Sequence, residues 1–105
     1  MNKLGATLDL LNDPSKSIEI YQQALDHATE TGSLKDQGKN LNRLGKSHFK
    51  KDNYKQAFAC HEKAVAIYKK INDPIGEAIN IWESSLAIKR KGDLNQVIRN
   101  RPKNI

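Results

Sequence analysis

Apolar positions recur along the chain at helical spacing, and turn residues interrupt them at regular intervals. In residues 34–51, Leu41 and Leu44 share a stripe with Gly45 and His48. In residues 54–71 a second stripe runs through Tyr54, Ala57, Phe58, His61, Ala64, Ile67, Tyr68 and Ile71. Steps of three and four belong to helices with one buried face. No stretch alternates with period two, so no strand is expected. Asp13-Pro14 and Asp73-Pro74 each read as an N-cap followed by proline, whose missing N–H costs nothing in the first turn. Ser33 opens another helix, and Asn53 with Gln56, like Asp93 with Gln96, has the spacing of a capping box. Gly32 and Gly92 stand where a left-handed residue would end a helix, with Asn72 a weaker version of the same signal. These signals predict helices at about 2–12, 14–31, 34–51, 54–71, 74–91 and 94–100.

The punctuation is periodic because the sequence is. At an offset of 40 residues Leu4-Gly5 falls on Leu44-Gly45, Tyr21 and Ala24 on His61 and Ala64, and Asn40-Leu41 on Asn80-Ile81. The segment 51–58 matches 91–98 in polarity and size. One hairpin of two such helices leaves an apolar stripe uncovered, so the hairpins must stack. Small residues set the expected crossing points: Gly45 opposite Ala57, Gly5 opposite Ser17 and, more loosely, Ser85 opposite Val97. His48 is expected to approach His61 across the middle hairpin.

Leu44-Gly45, Ala57 twelve residues beyond the glycine, and Ala64 together resemble the signature of the tetratricopeptide repeat. The phrases at 38–45 and 70–78 are similar to its 40-residue-period subclass, found in spindle-orientation adaptors, kinesin light chains, bacterial peptide-responsive regulators and cyanobacterial arrays. The resemblance implies an all-α fold, a right-handed superhelical stack of about three helical hairpins. It places one domain over 1–100, with repeats at about 1–33, 34–73 and 74–100 and a basic tail at 101–105. The departures matter too. His48 and His61 stand where Tyr or Phe is usual, and Ser84-Ser85 replaces Leu-Gly, so the third unit is expected to pack less tightly. Neither end reads as a solvated capping helix. That leaves open a piece of a longer array, self-association through the ends, and marginal stability.

Composition narrows the function. Of 105 residues 37% are hydrophobic, with 18 Lys and Arg against 12 Asp and Glu. That suits one small domain with a thin layered core. The formal charge of +6 is uneven: residues 1–34 hold two cations and five anions, residues 35–55 seven and two, and residues 89–103 six and one. Lys35, Lys39, Arg43, Lys46 and Lys50 are spaced 4, 4, 3 and 4, which puts five cations along one helix face at a cost in like-charge repulsion.

The resemblance implies that the first helix of each hairpin lines a concave groove. Carried over, the middle helix presents Lys39, Asn42, Arg43, Lys46, Phe49 and Lys50, and the third unit presents Ile79, Trp82, Glu83, Leu86, Lys89 and Arg90. The first unit offers Asn2, Lys3, Ala6, Asp9 and Leu10. The candidate partner-binding residues are thus Lys39, Asn42, Arg43, Lys46, Phe49, Lys50, Trp82, Lys89 and Arg90. A solvated lysine face is the plain alternative. The functional reading is a basic groove for an acidic peptide or protein, in which Arg43 binds a carboxylate bidentately and Phe49 and Trp82 anchor apolar groups. Burial between hairpins is the alternative for Trp82.

Other chemistries find less support. The positions of the dicarboxylate clamp of chaperone-binding relatives hold Asn2, Ala6, Arg43, Ile79 and Glu83, so that clamp is absent. Cys60, His61 and His48 fall short of a zinc ligand set, and no cofactor is expected. Without a phosphate loop, H-E-x-x-H or a nucleophile elbow, no catalysis is expected. Nucleic acid is the rival partner, through the basic helix and Lys89, Arg90, Lys91, Arg99, Arg101 and Lys103, but no nucleic-acid-binding motif is present. No apolar run approaches the ~20 residues that span a bilayer. The first ten residues lack a signal-peptide apolar segment, so the expected setting is cytoplasmic.

Overall fold

The computed structural model describes the backbone of residues 13–100 and the side chains of residues 13–92. Over the described residues the chain is helix and turn throughout, in the order α1 (Pro14–Thr31), α2 (Leu34–Lys50), α3 (Tyr54–Lys70) and α4 (Pro74–Asn100). Each helix packs on the next, which makes the all-α helical stack that the periodicity predicts. The helix expected at 2–12, the crossing of Gly5 with Ser17, the pairing of Ser85 with Val97 and the tail at 101–105 lie outside the described residues.

Three equivalent turns reverse the chain. The left-handed residues Gly32 (φ 76°), Asp52 (φ 62°) and Asn72 (φ 57°) recur every 20 positions. After each, the next N–H reaches back to the carbonyl five residues earlier: Ser33 to Ala28 at 3.0 Å, Asn53 to His48 at 2.8 Å and Asp73 to Tyr68 at 2.9 Å. This closure satisfies carbonyls that a helix end otherwise leaves bare, and Asp and Asn tolerate the conformation because a short polar side chain fits there. The following helices open on side-chain caps. Asp13 accepts from the Lys16 N–H at 3.2 Å, Ser33 from Asp36 at 3.3 Å, and Asp73 from Gly76 at 3.1 Å.

Two expectations about helix ends need correction. Asn53 makes no side-chain cap. Its amide instead lies 3.5 Å from His48 Nδ1, so the predicted capping box with Gln56 does not form. The break predicted between residues 91 and 94 is also absent, because α4 continues through Gly92, Asp93 and Gln96 to Asn100. Gly92 keeps a negative φ, and a Cβ there would meet nothing within 4 Å. Nothing crowds the helix into turning.

The core is a seam between helices. Leu41, Ala64 and Tyr68 form its buried centre, flanked by Leu25, Cys60, Ile67 and Ile71. Two aromatic rings occupy space that glycines vacate. The Tyr68 ring lies against both Gly38 of α2 and Gly76 of α4, and a Cβ at Gly45 would overlap the ring of His61. The closest approach at Gly45 is therefore to His61, one turn beyond the expected Ala57, because the flat imidazole fills the gap that a methyl leaves. Desolvation pushes the phenol of Tyr68 and the thiol of Cys60 up from their ordinary values.

Candidate functional site

α2 carries the site because its two faces differ in kind. Gly38, Leu41, Leu44, Gly45 and Ser47 are buried. Lys35, Lys39, Arg43, Lys46 and Lys50 are all exposed on the other side. Among the described residues none of these five cations has a carboxylate within ion-pairing distance. Arg43 lies over the Tyr21 ring of α1, its guanidinium 5.9 Å from the centroid, which orients the fork while leaving its edge free.

Beside this row a pocket of about 190 Å³ opens between α2 and α4, lined by Lys46, Phe49, Lys50, His61, Glu83 and Leu86. Its floor is a buried polar chain. The Asn80 amide donates to the Gly76 carbonyl at 2.8 Å, which turns its oxygen towards His61. His61, only 1% exposed, donates from Nδ1 to that oxygen at 2.8 Å. The other ring nitrogen lies 3.5 Å from Glu83 Oε1, a contact that makes no hydrogen bond. Glu83 Oε1 and Asn42 Oδ1 are the buried side-chain acceptors left without a hydrogen-bond partner among the described residues.

The rim is aromatic and apolar. Phe49 meets Tyr54 edge to face at 5.2 Å, and the Arg90 guanidinium sits 5.6 Å from the Phe49 centroid. Tyr54 donates to Asp52 at 2.7 Å, and that bond pushes its phenol up. Trp82 is 64% exposed, so it is not buried between hairpins. With Ile75 (72% exposed), Ile79 and Leu86 it forms one stripe along α4 at steps of four, three and four.

The structure thus brings Lys46, Phe49, Lys50 and Arg90 together around one pocket. Lys39, Asn42 and Arg43 extend the site along α2, and Trp82 and the exposed Lys89 extend it along α4. The polar partners of His61 are Asn80 and Glu83 on α4, not His48, whose ring nitrogen meets Asn53. The sequence reading missed the His61, Asn80 and Glu83 chain. The signal was available in the repeat, since Tyr21 meets Arg43 and, 40 residues on, His61 meets Glu83. Among the described residues no group of three or more His, Cys, Asp or Glu could hold a metal ion. No described helix is long and apolar enough to cross a membrane.

Helices stacked in sequence, joined by identical turns and open along one polar and apolar furrow, define a helical-repeat protein. Residues 41–74 match the family model of the tetratricopeptide repeat, so this stretch carries a repeat of that kind. It is similar to the RNA polymerase-associated protein CTR9 of Caenorhabditis elegans, at 29% identity over 79 residues. That match covers 75% of this chain and 6% of the worm protein, so the chain spans only a small part of that relative's length. No solved structure matches the chain. Tetratricopeptide repeats form protein-interaction modules, and the match supports that class of function for this chain.

Proposed function

We propose that the chain is a non-catalytic protein-interaction module whose furrow between α2 and α4 receives an acidic peptide or an acidic segment of a protein. The observation that carries this reading is the row of five exposed cations on α2 without a carboxylate neighbour among the described residues. Such a row repels itself, a cost that a bound partner's carboxylates offset. Arg43 supplies the fork suited to a carboxylate, and Lys39, Lys46, Lys50, Lys89 and Arg90 supply attraction over a distance comparable to the Debye length, ~8 Å at physiological salt. The charge asymmetry between α1, with Glu19, Asp26 and Glu30 exposed, and the Lys89 to Lys91 run also supports pairing between copies through opposite ends. The working compartment in this reading is the cytoplasm.

The test is binding of a fluorescent oligoglutamate peptide to the full chain and to an Arg43→Glu, Lys46→Glu variant, with circular dichroism to confirm folding. Saturable binding that the variant loses supports the groove. Equal binding by the variant removes it. Binding to random DNA or RNA with steep salt dependence, and none to the peptide, would transfer the surface to a nucleic acid.

A further inference from the structure

Away from the furrow, α4 carries a second apolar stripe. Ala78, Ile81, Ser85, Ile88 and Gly92 are all exposed and follow one another at steps of three, four, three and four, the spacing that keeps one face of a helix against a partner helix over several turns. Ile81 is 46% and Ile88 49% exposed, and a Cβ at Gly92 would meet nothing within 4 Å. Because α4 continues to Asn100, the chain does not fold back over this stripe among the described residues. Glu77 and Lys91 flank it on one side, each a single residue before a small residue of the stripe. Neither has an ion-pair partner among the described residues.

These features select one partner and one direction. Two copies of α4 laid parallel set Glu77 against Glu77, Lys91 against Lys91 and isoleucine against isoleucine. Laid antiparallel, they set each Glu77 beside the Lys91 of the other copy, and each isoleucine against a small residue that leaves room for it. From this complementarity we infer that a second copy of the chain covers the stripe, its α4 antiparallel to the first about a two-fold axis near Ser85, with Glu77 of each copy facing Lys91 of the other. The stripe lies on a different side of α4 from Ile75, Ile79, Trp82 and Leu86, so this contact leaves the furrow open and does not rest on the acidic groove. It also closes at two copies, whereas pairing of opposite ends through α1 would go on adding them. A single pair of helices in contact over about four turns stands at the low end of specific interfaces, ~1,200 Å², so pairing is weak and the stripe is open in dilute solution.

Sedimentation equilibrium of the full chain over roughly 5–500 μM, a range that brackets a weak association, tests the pairing. The mass should rise from one chain to two and stop. Ile81→Ala with Ile88→Ala should abolish the rise, with circular dichroism showing an intact fold, because both side chains are half exposed. Glu77→Lys and Lys91→Glu should each weaken pairing about tenfold, and the two together in one chain should restore it. The residues stand 14 positions apart on one helix, beyond reach of each other within a copy, so such rescue reports contact between antiparallel copies. The Arg43→Glu, Lys46→Glu variant should pair like the parent. A monomer at every concentration overturns the inference and leaves the stripe to another cover, and growth beyond two copies overturns it in favour of contact through opposite ends. A dimer that survives loss of both isoleucines, that the Arg43→Glu, Lys46→Glu variant loses, or that the double charge exchange fails to restore also overturns it.

Discussion

Leu41, Leu44, Gly45 and His48 on α2 and Ile81, Ser84, Ser85 and Ile88 on α4 hold the same four places in the repeat, yet of the α4 residues only Ser84 is buried as its counterpart is. Leu41 is 5% exposed and Ile81 46%. The difference begins at one backbone position. α2 ends where Asp52 turns left-handed, and α3 then folds back to lay His61 on Gly45. At the equivalent place Gly92 stays helical and α4 runs on, so among the described residues no following helix returns over Ile81 and Ile88. Fully burying a large aliphatic side chain stabilises a fold by about 1.5–3 kcal/mol relative to exposure. One turn therefore decides whether a repeat's inner stripe belongs to the core or to the surface.

The contrast breaks most visibly at its apolar centre. Leu44 is 1% exposed, and Leu44→Ala should cost about 2–5 kcal/mol, through lost burial and the cavity left behind. Ile88→Ala, on the stripe α4 leaves open, should stay within about 1 kcal/mol. Urea denaturation of the two variants measures both. Similar losses would mean that the Ile88 stripe is covered in solution.

The next effect separates two asparagines. Asn40 and Asn80 are repeat equivalents, and each donates to the carbonyl four residues earlier, at 2.9 and 2.8 Å. Only Asn80 also receives a buried histidine proton. Asn80→Ala should therefore cost about 1–3 kcal/mol by stranding His61 Nδ1, and Asn40→Ala should cost less than half of that. Equal costs would show that the His61 bond adds nothing.

Gly92→Ala then asks directly which backbone state α4 holds. In a helix interior with free space for a Cβ, alanine should stabilise by up to about 1 kcal/mol and raise helicity. At a left-handed turn like that at Gly32, the same change would cost about 1–2 kcal/mol. A stabilised variant with stronger ellipticity supports the continuous helix; a destabilised one would restore the hairpin.

That last position marks the limit of what the letters could show. The helices, their spacing and three N-caps follow from local chemistry, since proline, aspartate and serine act through neighbouring backbone. Glycine at residue 92 permits a turn without requiring one. Whether the chain reverses there depends on what packing a reversal would gain, and no local pattern encodes that. The candidate site divides the same way. The cationic row was visible as a helix period, whereas the pairing of His61 with Asn80 and Glu83 joins side chains about 20 residues apart, and only the 40-residue offset hinted at it. Asn53 misled because its side chain had a competing neighbour in His48.

His48 and Ile88 provide the smallest test of the contrast, and it reads out in pH. His48 is half-buried in the middle hairpin, and its pKa lies below the usual 6.5, first because burial penalises the charged ring and then because Lys51 repels it. The amide of Asn53 near Nδ1 suits the neutral ring, to whose lone pair it can donate. The unfolded chain therefore takes up this proton at a higher pH than the folded one. Between the two pKa values the unfolded state binds more protons, so stability falls as pH falls through about 6.5 towards the lower folded value. Above the unfolded pKa the contribution is complete, and below the folded pKa it has gone. His48→Gln keeps a polar side chain there and removes the titration. Urea midpoints measured at about pH 8 and about pH 5 should drop further for the parent than for the variant, by a few tenths of a kcal/mol for a partly solvated ring. Ile88→His, placing the same ring on the uncovered stripe, should add no such dependence, because nothing there strips its water. A matching pH response from that variant would mean that a helix returns over α4 after all.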